Sequence, residues 1–186
     1  GQYPPGSTFK LVNGLIALQE KIIDDKTLIS CNQGHYYSSK RFMKCHCEIG
    51  TINNLDKAVY NSCNTYFANI YKRTIEKFPS HKNGINNWRS HVKSFGFGTY
   101  LGYDHPIGRP GLIPDSNYYD RWYPNGGWRA ATTISNGIGQ GEILTTPIQL
   151  ANLTAIIANR GWYKTPHFVK NISNDSINSK YKEKRY

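Results

Sequence analysis

Apolar positions recur at helical spacing in four stretches of the chain. Phe9, Val12, Leu15, Ile16 and Leu18 make a wide apolar stripe, which predicts a first helix over about 7–20. Pro4, Pro5 and Gly6 form the turn before it. A second helix is expected over about 54–61. A break separates it from a third over 65–78, buried through Phe67, Ile70, Tyr71 and Ile75. A fourth begins near Gly84, carries Ile85, Trp88, Val92 and Phe95 on one side, and stops at "GFG". The best-signalled helix follows Thr146, a good N-cap. Pro147 suits the first helical position, Gln149 completes a capping box and Gly161 is the stop. Ile148, Leu150, Leu153, Ile156 and Ile157 are its apolar face.

Between these stretches the periodicity fails. Residues 24–52 are polar and rich in Cys, His, Tyr and Ser, so they read as an irregular excursion that needs something to hold it. Residues 99–129 read as a loop dense in Gly, Pro and Tyr. "WYKTPHFVKNI" reads as a strand, and the tail over 171–186 has too little to bury and is expected to fray. With four or five helices and hardly any strand, residues 1–170 should form a mostly α body.

Composition narrows this picture. The 186 residues suffice for one domain with a sizeable core, and 38% are hydrophobic. No run of about 18 apolar residues offers a membrane span, and no leader peptide opens the chain. A sequence that starts on "GQYPPGST", with a helix already beginning, reads as cut from something longer, with any anchor upstream. The net charge of +11 points to an anionic partner. The charges are scattered apart from the tail "KYKEKR", which favours lipid headgroups or an anionic wall over nucleic acid.

Cys31, Cys45, Cys47 and Cys63 all fall within residues 31–63. Four sulfurs could close a tetrahedral zinc site, with His46 or His35 as the alternative fourth ligand. The other readings are two disulfides or separate reduced thiols. Cys45 and Cys47 would pair poorly with each other, so disulfides would run to Cys31 and Cys63. A structural metal is the reading that also explains how a polar excursion stays ordered.

Ser7 and Lys10 stand three apart at the head of the first helix, on one face. The helix start offers free backbone N–H groups and a dipole that favours negative charge. A serine hydroxyl needs a base near neutral pH, and a lysine amine serves if desolvation lowers its pKa. The pair alone is weak, because a capping serine and a surface lysine give the same spacing.

Three stretches together raise it: "PPGSTFK", then "SCN" at Ser62–Asn64 between two predicted helices, then "GIGQGEILTTPIQLA". With these motifs the chain resembles the transpeptidase domain of class B penicillin-binding proteins, over nearly its whole length to about residue 170. "PGLIP" and the nearby Trp122 resemble the elongation-type branch. The resemblance implies an α+β fold of the penicillin-binding-protein and serine β-lactamase kind, with this chain mostly its α-helical subdomain and little of its sheet. It implies a D,D-transpeptidase that crosslinks peptidoglycan stem peptides through a serine acyl-enzyme, is inhibited by β-lactams, and needs no cofactor for catalysis.

Residue by residue, the resemblance implies Ser7 as nucleophile, Lys10 as proton acceptor, Ser62 as relay to the leaving amine and Asn64 as holder of Lys10 and the substrate amide. The Ser7 N–H would be one of two oxyanion donors. It also implies elongation-machinery partners and a domain on the outer side of the cytoplasmic membrane. Zinc near these cysteines gains support from relatives said to carry it there.

The sequence departs from the family at its third motif, K-T-G. "YKTPHF" offers Lys164 and Thr165, but proline stands in place of the glycine and has no N–H for a ladder. Lys164 therefore reads as a decoy, and this piece alone is expected to have little transpeptidase activity. A β-lactam sensor domain and a basic zinc module that binds nucleic acid are the rival readings. Only Lys40, Arg41 and Lys44 lie near the cysteines, which disfavours the second. Gly139, Gln140 and Gly141 read as a tight turn near the site. Trp122, Trp128 and Tyr118–Tyr123 read as pins of the long loop before substrate contacts.

Overall fold

The computed structural model describes residues 1–170 and 177–186. Among these residues six α-helices carry the body: α1 (Lys10–Gln19), α2 (Leu55–Tyr60), α3 (Asn64–Glu76), α4 (His81–Ser94), α5 (Ser116–Trp122) and α6 (Pro147–Ala158). Three two-stranded antiparallel ribbons accompany them. β1 (Ile29–Cys31) pairs with β4 (Thr51–Asn53), β2 (Gly34–Ser38) with β3 (Arg41–Lys44), and β5 (Tyr163–Lys164) with β6 (Lys184–Arg185).

Helix α3 is central. One face packs with α1 and α4 through Phe9, Val12 and Ile16, through Ala68, Tyr71 and Ile75, and through Ile85, Trp88 and Val92, all buried. Burial of aliphatic side chains of this size stabilises by about 1.5–3 kcal/mol each. Gly84 lets α4 meet the end of α3: a Cβ there would lie 2.0 Å from the Ile75 carbonyl oxygen. The other face of α3 carries Tyr66, Phe67 and Ile70 against Ala17, Ile23, Ile29 and the four cysteines.

Local capping explains most of the boundaries. The expected capping pair of α6 meets, with the Thr146 N–H donating to Gln149 Oε1 at 2.9 Å. Ser80 caps α4 through its hydroxyl, so that helix starts three residues before Gly84. Asp115 caps α5, a helix inside the stretch expected to be loop throughout. The expected excursion over 24–52 is corrected likewise. It folds as the β1–β4 and β2–β3 ribbons, whose exposed strands leave no alternating pattern to read.

Two further expectations change. Leu15 and Leu18 are about two-fifths exposed, because α3 and α4 cover only part of the wide stripe on α1, and Ile157 on α6 is exposed to the same degree. The tail expected to fray is ordered at its end, where Lys184 and Arg185 pair with Lys164 and Tyr163. The rest of that expectation, over residues 171–176, lies outside the described residues.

Candidate active site

The chain before α1 is anchored before it reaches Ser7. Tyr3 exchanges two backbone hydrogen bonds with Thr145, each 2.8 Å, and the Gly6 N–H donates to the Gly139 carbonyl at 2.8 Å. Gly139 adopts φ +71°, and a Cβ on it would stand 2.1 Å from the Gly6 oxygen. Only glycine permits that approach. Two of the sequence motifs are thus pressed against each other.

Ser7 lies in a 3-10 turn, Gly6–Phe9, that runs directly into α1. Residues three apart at a helix start share a face, so Ser7 precedes Lys10 by one turn on the same side. The Lys10 N–H donates to the Ser7 carbonyl. Ser7 is exposed, and its own N–H falls in the first turn, where donors have no intrahelical partner. No hydrogen bond joins its hydroxyl to Lys10 among the described residues.

Lys10 is only 3% exposed. Its ammonium donates to the Ser62 carbonyl at 2.7 Å, to Ser62 Oγ at 2.9 Å and to Asn64 Oδ1 at 2.7 Å. Three donors meet three neutral oxygens. Among the described residues no carboxylate pairs with it. Burial therefore lowers its pKa, and the nearby Cys45, Cys63 and Cys47 oppose that only in part. An amine in this setting releases its proton more readily than a surface lysine.

Ser62 and Asn64 reach Lys10 because the chain turns sharply between α2 and α3. The Ser62 N–H bonds the Val59 carbonyl at 3.0 Å and the Cys63 N–H bonds that of Ala58 at 2.9 Å. Ser62 itself has φ +47°. Asn64 opens α3, and its Nδ2 donates to the Lys44 carbonyl at 2.9 Å, which fixes the amide with its oxygen toward Lys10. Lys44 is a contributor that sequence reasoning missed. It acts through its backbone, and only its position beside Cys45 could have hinted at it.

Cys63 lies between Ser62 and Asn64 and joins this site to the cysteines. The four sulfurs of Cys31, Cys45, Cys47 and Cys63 lie within 4.8 Å of one another, all on buried residues. Cys45 Sγ is 3.5 Å from Cys47 Sγ and 3.7 Å from Cys63 Sγ. All four are free thiols, so neither disulfide of the alternative reading is present. Four thiolates at about 2.3 Å from one zinc ion stand roughly 3.8 Å apart, so the set fits a closed tetrahedral site.

The thiols respond to one another. At Cys45 burial acts upward, but the Cys47 and Thr65 backbone and the Cys47 and Cys31 thiols outweigh it and bring the pKa down to about 6. Burial pushes Cys47 up to about 11 and raises Cys63 as well. The histidine alternatives fall outside the cluster. His46 is exposed, with Nε2 2.7 Å from the Asn61 carbonyl, and His35 Nε2 is buried without a partner. Lys164 is exposed on the β5–β6 ribbon, opposite Lys184. Trp128 is fully buried and pins its loop, whereas Trp122 is 67% exposed.

A buried amine held between a serine and an asparagine, a serine in the 3-10 turn just before it and a glycine turn pressed on that serine's segment thus meet at the head of α1. The chain belongs to the penicillin-binding-protein transpeptidase family, whose domain model matches residues 1–186. Among curated relatives, the peptidoglycan D,D-transpeptidase MrdA of Acinetobacter baumannii is 35% identical over 173 residues, covering 91% of this chain and 24% of that protein. The MrdA of Escherichia coli K12 is 28% identical over 178 residues, covering 94% of this chain and 26% of that protein. This chain therefore spans about a quarter of their length.

Solved structures agree. Pseudomonas aeruginosa PBP2 in complex with WCK 5153 superposes with a TM-score of 0.81 at 27% identity, covering 100% of this chain and 40% of that one. The PBP2 of the Helicobacter pylori complex with MreC gives 0.77 at 30% identity, covering 92% and 30%. The fold is thus that of the penicillin-binding-protein transpeptidases.

Proposed function

We propose that the protein to which this chain belongs is a peptidoglycan D,D-transpeptidase. The observation that carries the reading is the buried Lys10 ammonium, held by Ser62 and Asn64 without a carboxylate, one turn after Ser7. In this reading burial lets Lys10 shed its proton first, and the neutral amine then takes the proton that Ser7 Oγ loses as it attacks the carbonyl of a D-alanyl-D-alanine bond. Ser62 passes a proton to the departing amine of the terminal D-alanine. An amine from a second stem peptide then attacks the ester, forms the crosslinking amide and returns the proton to Ser7. Asn64 holds Lys10 in line throughout. The same reading makes β-lactams acylating inhibitors. It places the domain on the outer face of the cytoplasmic membrane, among elongation-machinery proteins, a placement supported by the MreC complex of the Helicobacter pylori relative. No helix among the described residues is long and apolar enough to cross a membrane.

The test is covalent labelling of the full-length protein by a fluorescent penicillin, read by mass spectrometry. Labelling is expected on Ser7, absent in Ser7→Ala and slowed at least about a hundred-fold in Lys10→Met. Labelling that survives Ser7→Ala overturns the assignment.

We further propose that Cys31, Cys45, Cys47 and Cys63 hold a structural zinc ion. When bound, it crosslinks the ribbons to the start of α3 and takes no part in the chemistry. Elemental analysis is expected to give one zinc per chain. A folded, zinc-free protein with four titratable thiols removes the reading.

A further inference from the structure

Helix α5 and the turn after Gly139 enclose a second cleft, of about 340 Å³, lined by Tyr118, Tyr119, Trp122, Tyr123 and Glu142. Its walls are aromatic. Tyr118 and Trp122 stand one turn apart on α5 with centroids 6.3 Å apart and planes at 51°. Tyr119 meets Tyr118 edge-on at 5.5 Å. Trp122 and Tyr123 remain 67% and 40% exposed, so ring surface is open to a visitor.

Glu142 supplies the charge. One carboxylate oxygen accepts from the Tyr119 hydroxyl at 2.9 Å. Among the described residues no lysine, arginine or histidine pairs with it. That is notable in a chain with 23 Lys and Arg against 12 Asp and Glu. A neutral acceptor would satisfy the tyrosine equally well, and the second carboxylate oxygen is left over. A half-buried carboxylate facing tyrosine and tryptophan rings is the chemistry that recognises an organic cation.

The cleft is also tied to α1. The Tyr119 hydroxyl accepts from Asn136 Nδ2 at 2.8 Å, and the Asn136 carbonyl accepts from Asn13 Nδ2 at 3.0 Å. Asn13 lies one turn beyond Lys10.

We propose that this cleft is a subsite for a primary alkylammonium group. Its carrier, the diamino-acid side chain of a stem peptide, rests on the transpeptidase reading, whereas the ammonium recognition does not. Glu142 pairs with the ammonium, and Trp122 and Tyr118 cover its alkyl chain.

The test follows the Trp122 indole N–H resonance, assigned by its loss in Trp122→Phe, in the full-length protein. The probes are Nα-acetyl-L-lysyl-D-alanyl-D-alanine, its Nε-acetyl counterpart and n-butylammonium chloride. The charged peptide is expected to give a saturable shift, and butylammonium the same shift at higher concentration. Acetylation of the amine, or Glu142→Gln, should weaken binding about ten-fold or more, with the rest of the spectrum unchanged. Butylammonium binding as tightly as the peptide keeps the ammonium subsite and removes the peptide carrier. Equal shifts from the charged and acetylated peptides, unchanged binding in Glu142→Gln, or no shift overturns the proposal. Penicillin labelling reads neither Glu142 nor Trp122, so failure of the transpeptidase reading would show separately.

Discussion

The body made by α1, α3 and α4 and the ribbons over residues 29–53 share α3, yet opposite means hold them. The body excludes water with large side chains: Trp88, Phe9, Phe97 and Tyr71 interlock edge to face at 5.4–6.3 Å. The ribbons expose most of β2 and β3 and bury chiefly sulfur. Shape in the first region follows from buried area; in the second, under the zinc reading, it follows from the four sulfurs within 4.8 Å of one another. The candidate active site lies on the seam. Lys10 comes from the body, while the Lys44 carbonyl that fixes Asn64 comes from the ribbons.

The comparison can be broken from either side. Trp88→Ala empties the body and strands Asn13 Oδ1, which now accepts from the indole at 2.8 Å. A loss of about 3–5 kcal/mol in urea unfolding is expected. A loss under about 1 kcal/mol would show that area does not hold this region.

Under the zinc reading, metal removal tests the other half. After chelation, amide exchange over residues 29–53 should accelerate about a hundred-fold or more, while the cores of α3 and α4 change little. Equal acceleration in both regions would mean that they are one cooperative unit.

The smallest effect sharpens the boundary of the body. Glu20 accepts from Lys77 Nζ at 2.6 Å and lies 2.7 Å from His91 Nε2. The hydrogen bond from Lys77, then that from His91, holds its carboxyl below the usual range. A carboxylate of this kind stabilises above its unfolded pKa of about 4.3, and the contribution is lost as pH falls through the lower folded value. Acid titration should therefore cost the parent chain about 0.5–1 kcal/mol more than Glu20→Gln. Parallel pH profiles would show the pair to be inert.

What the sequence revealed follows the same division. Helix α6 was legible because its signals are local: Thr146, Pro147 and Gln149 act within one turn. Helix α5 was not, because Asp115 caps it inside a stretch whose Gly and Pro content speaks for loop. The ribbons were hidden because β2 and β3 bury neither face regularly, so no alternation marks them. At the site, Ser7, Lys10, Ser62 and Asn64 were readable as motifs, and the four cysteines as a group. The Lys44 carbonyl, the approach of Gly139 to Gly6 and the carboxylate at Glu142 were not. Each depends on which distant backbone or ring the fold brings near, and no spacing in the chain encodes that.

The backbone at Ser62 sets two demands against each other. Glycine would adopt the left-handed conformation at φ +47° without strain but brings no hydroxyl, and alanine would keep the strain of about 1 kcal/mol and lose the hydroxyl too. Asparagine tolerates the conformation yet replaces the hydroxyl that now accepts from the lysine with a longer amide. Evolutionary drift at this residue therefore has few exits, since any replacement sacrifices either the turn or the hydroxyl that meets the Lys10 ammonium.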